Sequence, residues 1–563
     1  MASRKRPYTA ADVRQLLEDS DSDTYVSDSG DSGDESDDTD ADDAADSGSV
    51  NISADNWQRA NKEQPHIYGF LGKPGISVNT DGFEAIDFFR LFLTDELLSI
   101  FEVETNRYAD QLLQQLLPPQ SRLRKWENTN VEEMKIFCGL LFLMAINRKP
   151  EIAMYWTQDS LFSTPVFPAV MTRDRFQVLL RCWHFVNNEC APARNSDNYD
   201  RLFKIQPLIK SLSATFESVY TPDINLSLDE ELVLWKGRLV FRQYIPMKRA
   251  RFGMKLFCLC ENTGYTYRFR VYTGKDNPMQ AIYCDIPDDA QELSKTEKIV
   301  VHLMEPLLDK GYQFYVDNFY TSVNLVSYLD DHATGCCGTV RGNRVPAPVK
   351  NHKLDKGASV GFRKDNLLCV KFKDKRDVFV LTNIHTEETS RQRVRGRHEV
   401  FVDRPVCICD YNRNMGGVDK VDQLIAPYDA TRKCLKWYRK LAVHLLQVAM
   451  VNAFTLYQKS HSSARFLKFQ TDVISSLVFD VALEPDTTKS EELARLTERH
   501  FLSHTPETAK GGRKNFLTRR CRVCHKNGIR KEVTYLCEQC SSHPGLCPVP
   551  CFQLYHTKKK YWQ

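Results

Sequence analysis

Three things are scarce in this chain, and each scarcity excludes a class of protein. Long apolar runs are the first. The longest, residues 136–146, lies between Lys135 and Arg148. About twenty apolar residues are needed to cross a bilayer, so this run is expected to be a buried helix, with no membrane partner. The apolar core of a signal peptide is the second: the N-terminus is polar, and an intracellular protein is expected. Basic residues near the N-terminus are the third. From Gln15 to Gln58 there is no Lys or Arg, against fifteen Asp or Glu. Adding Arg4, Lys5, Arg6, Arg14 and Asp12, residues 1–58 carry −12; since the chain carries +3, the remainder carries +15. An acidic segment on a basic body points to a polyanion as the body's partner.

What is present divides into domains, because 563 residues are too many for one core. Residues 1–58 read as a disordered acidic tail, too poor in apolar residues to offset its chain entropy. Ser20, Ser32 and Thr39 each have an acid three positions on, a spacing that suits an acid-directed kinase. A plain solubilising tail and a nucleic-acid mimic are the other two readings. Residues 59–220 read as mainly helical, a packing, dimerisation or DNA-binding domain. Thr94, Asn130 and Thr172 are placed as N-caps, with Asn130 and Glu133 forming a capping box.

After Pro222 the pattern changes to strands at 224–235, 254–260 and 265–272, turned at Asn262-Thr-Gly264. A helix follows, then a strand at 312–316 ending at Asp317-Asn318, another helix, and a strand at 336–340. Residues 341–405 interrupt this α/β order with short β-like runs. They hold sixteen Lys or Arg and eight Asp or Glu, and read as a basic β-rich insertion. Arg391, Arg393, Arg395 and Arg397 alternate, so an extended backbone would line them along one side. Residues 406–482 resume with helices, 483–515 form a linker, and 516–563 hold the cysteine cluster.

Two glycines, Gly416 and Gly417, precede a helical pattern that carries Asp419 and Asp422. Positions i and i+3 share a face, and two carboxylates there are best accommodated by a shared divalent cation. Partners are expected from distant strands. Asp229 lies within one strand and Asp317 at the C-terminal end of another, where ligands of open α/β sheets are usually placed. Such a set can hold two Mg²⁺ ions, hard cations suited to carboxylate oxygen, with Mn²⁺ an alternative. Glu230 faces away from Asp229 in a strand; Glu231 faces the same way and competes with it.

The segments Leu226-Ser-Leu-Asp-Glu-Glu231, Tyr315-Val-Asp-Asn-Phe-Tyr-Thr-Ser322 and Gly416-Gly-Val-Asp-Lys-Val-Asp-Gln423 resemble, in order and context, the catalytic blocks of piggyBac-type DNA transposases. Arg242-Gln-Tyr-Ile-Pro-Met-Lys248, Gly338-Thr-Val-Arg341 and the terminal Cys/His domain match as well. The resemblance covers roughly residues 80–563. It implies an RNase H-like domain, in parts 221–340 and 406–482, split by the insertion. It also implies Asp229, Asp317 and Asp419 as metal ligands, with Asp422 a nearby fourth acid. The implied activity is cut-and-paste transposition through hairpin ends into TTAA targets. A homodimer, double-stranded DNA as partner and a nuclear location are implied too. A non-catalytic DNA-binding or chromatin protein that kept the fold is the alternative.

Of the eighteen cysteines, twelve are scattered over the first 434 residues and are expected to be buried thiols. The other six form, with two histidines, the pairs Cys521/Cys524, Cys537/Cys540, His543/Cys547 and Cys551/His556. Eight ligands fill two tetrahedral Zn²⁺ sites, structural in role. A cross-brace of alternating pairs is the expected connectivity, and His525 can displace one histidine. Residues 508–531 carry nine Lys or Arg and no acid. That charge, with Arg519, Arg520 and Arg522, suits phosphate better than a basic histone tail. Nearer the acids, Lys248, Arg249 and Arg251 fall in a basic loop, and Arg341 follows a strand. Trp437 is a stacking candidate for an unpaired base, or a core residue.

Overall fold

A computed structural model describes residues 56–60, 64–193, 196, 199–246, 248, 251–274, 286–393, 401–480, 495–496, 499–506, 516–540, 542–558 and 560–562. The acidic-tail and kinase readings, Arg249, Arg395, Arg397 and most of the linker therefore lie outside the described residues. The tail boundary needs correction at its end. Trp57 is buried, and Gln58–Arg59 pairs antiparallel with Ser359–Lys364; a large apolar ring and an open sheet edge outweigh the polar composition around them.

The first described section is helical: α1 Ala85–Arg90, α2 Asp95–Leu113, α3 Val131–Ile146, α4 Arg173–Cys182 and α5 Gln206–Val219. Each of the three expected caps forms. Leu97 N donates to Thr94 Oγ1 at 3.2 Å, Glu133 N to Asn130 Oδ1 at 2.8 Å, and Arg175 N to Thr172 Oγ1 at 3.3 Å. The capping box does not close, because Glu133 is used elsewhere. Its carboxylate accepts from Thr129 Oγ1 at 2.6 Å and Arg175 Nε at 2.7 Å, tying α3 to α4. Between them Trp183 is fully buried, edge-on to Phe101 and Phe137.

The central sheet begins with three antiparallel strands, β1 Asn225–Leu234, β2 Phe252–Glu261 and β3 Thr266–Val271. The turn between the last two runs through Gly264 at φ +95°, a backbone that favours glycine. On the other side of β1 lie two parallel strands, β4 Gln313–Val316 and β5 Gly335–Thr339. The order β3-β2-β1-β4-β5, with helices α6 Lys295–Met304 and α7 Val323–Asp331 in the crossovers, is that of an RNase H-like domain. The insertion does not stand apart from it. Its strands β6 Ser359–Lys364, β7 Leu367–Lys373 and β8 Asp377–Thr382 continue the same sheet, β8 pairing with β5. Only β9 Thr389–Arg393 and β10 Phe401–Pro405 form a separate hairpin.

The chain then returns over one face of the sheet as α8 Val406–Asn414, α9 Gly417–Ile425 and α10 Trp437–Ser460. By length and composition α10 is long and apolar enough to cross a membrane, but it is the buried central helix of the molecule. Each fully buried Leu or Val there contributes about 1.5–3 kcal/mol. Asn452 fixes its register against the sheet: Thr266 N donates to Asn452 Oδ1 at 2.8 Å, and Asn452 Nδ2 to Thr266 O at 2.9 Å. Two turns earlier this brings His444 to β1.

Candidate active site and zinc module

The parallel register decides where two of the acids sit. Leu228 pairs with Val316, and Val316 with Gly338. One step further on, Asp229, Asp317 and Thr339 stand in a row across β1, β4 and β5, on strands roughly 4.8 Å apart. Asp229 Oδ1 accepts from Glu230 N at 2.7 Å, and Asp317 Oδ1 from Asn318 N at 2.5 Å and Thr339 Oγ1 at 3.2 Å. Burial pushes the Asp229 carboxyl up to about 7, with the Lys248 charge opposing.

The helix α9 delivers the other two acids, and Gly417 sets its approach. A Cβ at Gly417 would lie 2.7 Å from Ser227 Oγ, 2.8 Å from Glu261 O and 3.0 Å from Cys260 Cβ, so the helix start rests directly on β1 and β2. Gly416 has no such neighbour within 4 Å. Its part is to separate α8 from α9. Asp419 is exposed in the first turn of α9, where its charge complements the helix dipole. Asp419 and Asp422 line a cavity of about 1240 Å³ together with Glu231, His444, Lys248, Arg251, Arg242 and Arg148. Arg251 and Lys248 thus lie where the sequence places them, and Lys248 Nζ also donates to Glu230 O at 2.7 Å.

The competitor Glu231 has its own task. It is buried, and its Oε1 lies 3.0 Å from His444 Nε2. Burial opposes charge on both groups, yet their mutual attraction holds Glu231 below and His444 above its ordinary value. Burial and the neighbouring Glu231 push Asp422 up to about 7. Glu230 points the opposite way, accepting from Tyr320 OH at 2.6 Å and lying 3.4 Å from Lys255 Nζ. His444 was not legible as a partner, because a single histidine in an apolar helix carries no spacing signal.

The oxygens of Asp229, Asp317 and Asp419 do not all lie within 4.8 Å of one another, as the ligand atoms of the two Cys/His groups do. The donor set nonetheless fits a hard divalent cation. It is all carboxylate, and the raised Asp229 means that its ionised form needs positive charge beside it.

Other predicted residues are dispersed. Arg341 Nε donates to Asn318 Oδ1 at 3.1 Å. Arg391 and Arg393 are exposed on β9, two apart and hence on one side. Trp437 is half-buried and edge-on to Phe241 at 5.3 Å, a packing contact. Arg519 and Arg520 are exposed, while Arg522 Nη1 donates to Ser542 Oγ at 2.6 Å and Tyr555 OH at 3.2 Å.

The cysteine cluster makes two groups, Cys521, Cys524, Cys547 and Cys551 in one, and His500, Cys537, Cys540 and His556 in the other. Along the chain the two sets interleave as in a cross-brace, but the expected pair Cys551/His556 is split: Cys551 joins Cys547, and His556 joins Cys537 and Cys540. Cys524 Sγ lies 3.8 Å from Cys547 Sγ and 3.6 Å from Cys551 Sγ. Zn–S bonds of about 2.3 Å at tetrahedral angles set sulfurs roughly 3.8 Å apart, so the site fits zinc. One ligand is corrected. His543 belongs to neither group: it is exposed in a turn at φ +43°, its N–H bonded to Cys540 O. His500 replaces it, with Nδ1 3.4 Å from Cys537 Sγ and 3.6 Å from Cys540 Sγ. The strand Leu502–His504, paired with Tyr535–Cys537, carries His500 there. The module therefore begins inside the expected linker. His525 is exposed and in neither group, and none of the described cysteines forms a disulfide.

Comparison with known proteins agrees with this geometry. A family model described as Transposase IS4 matches residues 84–454, and one described as a DDE_Tnp_1-like zinc finger matches residues 503–557. The human PiggyBac transposable element-derived protein 3 is 27% identical over 519 residues, covering 89% of this chain and 81% of the relative. The human PiggyBac transposable element-derived protein 5 is 21% identical over 389 residues, 67% of this chain and 71% of the relative. In fold, the chain is similar to the piggyBac transposase of a synaptic complex with hairpin DNA solved by cryo-EM. The TM-score is 0.63 at 22% identity, covering 83% of this chain and all of the other. With an RNase H-like sheet bearing Asp229 and Asp317 in one row, and an interleaved Cys/His module after it in the chain, this chain belongs to the piggyBac-type transposase family.

Proposed function

We propose that this protein is a cut-and-paste DNA transposase, cleaving and joining DNA strands by metal-dependent phosphoryl transfer. The single observation that carries the reading is the carboxylate pair in register on β1 and just past the end of β4, with α9 packed on the same sheet beside a cavity rich in Lys and Arg. Asp229, Asp317 and Asp419 would hold two Mg²⁺ ions, with Mn²⁺ as an alternative. When bound, these ions neutralise charge on the scissile phosphate and make a nucleophile available at neutral pH. The chain's own residues do the rest. Lys248, Arg251, Arg242 and Arg148 track the DNA backbone along the cavity. Asp422, held up to about 7 beside Glu231, can hold a proton near neutrality.

Water first nicks at the element end. The freed 3′-hydroxyl attacks the opposite strand to give a hairpin, which is reopened and joined at a TTAA target. Each step breaks one phosphodiester and forms another P–O bond, so one site serves all. Double-stranded DNA is the partner, met further by Arg341, the exposed Arg391 and Arg393, and the zinc module with Arg519, Arg520 and Arg522. A homodimer holds the two ends, the protein works in the nucleus, and an acid-directed kinase acts on the N-terminal tail. A non-catalytic host protein is the second reading, favoured by relatives whose names call them element-derived.

A cell excision assay with a matching element tests the two readings against each other. Excision by the wild type, lost in Asp317→Asn with DNA binding retained, supports the transposase. Undiminished excision in that variant sinks the role of the acids. DNA binding without excision by the wild type selects the second reading.

A further inference from the structure

The motif Gly338-Thr-Val-Arg341 contributes no carboxylate, and of its residues only Arg341 has a task in the proposed chemistry. Several of its contacts converge on one place. Thr339 Oγ1 donates to Asp317 Oδ1 at 3.2 Å. Arg341 Nε donates to Asn318 Oδ1 at 3.1 Å, its guanidinium 5.8 Å from the Phe319 ring centre. Thr321 Oγ1 donates to Asp317 O at 2.9 Å, and Gly338 leaves the room for it: a Cβ there would lie 2.3 Å from Thr321 Oγ1 and 2.9 Å from Val316 Cγ2. Behind Thr339 stands Tyr411, its OH 3.5 Å from Thr339 Oγ1.

Thr339 has one hydroxyl proton. Two acceptors lie within its reach, Asp317 Oδ1 at 3.2 Å and Tyr411 OH at 3.5 Å, and the nearer, charged carboxylate takes it. The geometry of the row supplies the rest. Asp317 lies one residue past the end of β4, where the ladder no longer fixes the backbone, while Thr339 is the last residue of β5 beside it.

We infer that Gly338-Thr339-Val340-Arg341 is a clamp that positions the Asp317 carboxylate for metal binding, with Thr339 the positioning residue. This rests on the proposed role of Asp317 as a metal ligand. The clamp leaves Asp317 Oδ2 for the ion while Oδ1 is held by Thr339 and Asn318. Groups that orient a metal's ligands change metal affinity by about 10–100-fold when removed.

The test is Mn²⁺ binding to the full-length, zinc-loaded protein, followed by electron paramagnetic resonance, with Mg²⁺ as competitor. Thr339→Val keeps the shape and β-branching but loses the hydroxyl, and is expected to weaken Mn²⁺ binding by about 10-fold or more. Thr339→Ser is expected to restore binding to within about 3-fold, which a role in packing alone would not achieve. Wild-type binding by Thr339→Val, with Asp317→Asn defective, overturns the clamp and leaves the ligand role standing. Wild-type binding by Asp317→Asn overturns the ligand role itself. A Thr339→Val protein with an unchanged melting profile and weakened binding supports the clamp. Failure of Thr339→Ser to recover binding overturns it.

Discussion

The molecule carries two ligand sets, and they are built in opposite ways. In the zinc module, seven of eight ligands fall within residues 521–556, and the thiols approach to 3.6–3.8 Å. The carboxylates Asp229 and Asp419 are separated by nearly two hundred residues and an insertion, and are brought to one sheet only by the packing of one helix on it. The zinc set is also the framework of its own module, whose small core is made largely of the ligand cysteines. The carboxylates instead sit on a core that stands without them, at a cost seen in the raised Asp229 and Asp422. On the proposed reading, a structural metal site is thus part of the fold, while a reactive one is charged against it.

That contrast can be broken at either end. Asp317→Asn is the strongest blow: loss of one metal ligand is expected to lower excision by about 10³-fold while leaving DNA binding and melting intact. An equal loss of thermal stability would show that this acid is structural after all. In the zinc module, metal analysis of the full-length protein should give two zinc per chain. His500→Ala is expected to lose about one of the two, with the C-terminal module loosened, while His543→Ala keeps both. The reverse pattern would restore the assignment made from spacing.

The glycine pair sharpens the comparison further. Gly417→Ala pushes a Cβ into Ser227, Glu261 and Cys260, and is expected to destabilise by about 1–3 kcal/mol, read as a lower melting temperature. Gly416→Ala, with open space around it, should be near neutral. A further effect concerns pH. Asp229, raised to about 7 from an unfolded value near 3.9, binds its proton more tightly when folded. Its contribution to stability is therefore lost as pH rises from about 4 through 7. In buffers without Mg²⁺, Asp229→Asn should be more stable than wild type at pH 7.5 by about 1–3 kcal/mol, and the gap should close toward pH 5. A gap that grows on acidification would contradict the burial of that charge.

Much of this was legible residue by residue. Thr94, Asn130 and Thr172 cap helices because a short polar side chain before an apolar period satisfies orphan N–H groups wherever the helix later packs. The strands around Asp229 and Asp317, and the CxxC pairs, were legible for the same local reason. His500 was not, since one histidine twenty-one residues before Cys521 has no spacing signature. Nor was the pairing of β8 with β5, which makes the insertion part of the main sheet, because edge pairing depends on which backbone is left open. The Glu133 box failed to close because Arg175, forty-two residues away, offered a full charge.

Local pattern sets the kinds of group available: one carboxylate within a strand, one at a strand end and two on one helix face, thiols at metal spacing, an acidic head on a basic body. These follow from composition and from the short periods of helix and strand. The tertiary structure decided which of them meet. Parallel register set Asp229 beside Asp317 and Thr339, the bare Cα of Gly417 let α9 come down onto β1, and the long central helix placed His444 against Glu231. Contacts between distant residues depend on strand register and close packing, which no local period encodes.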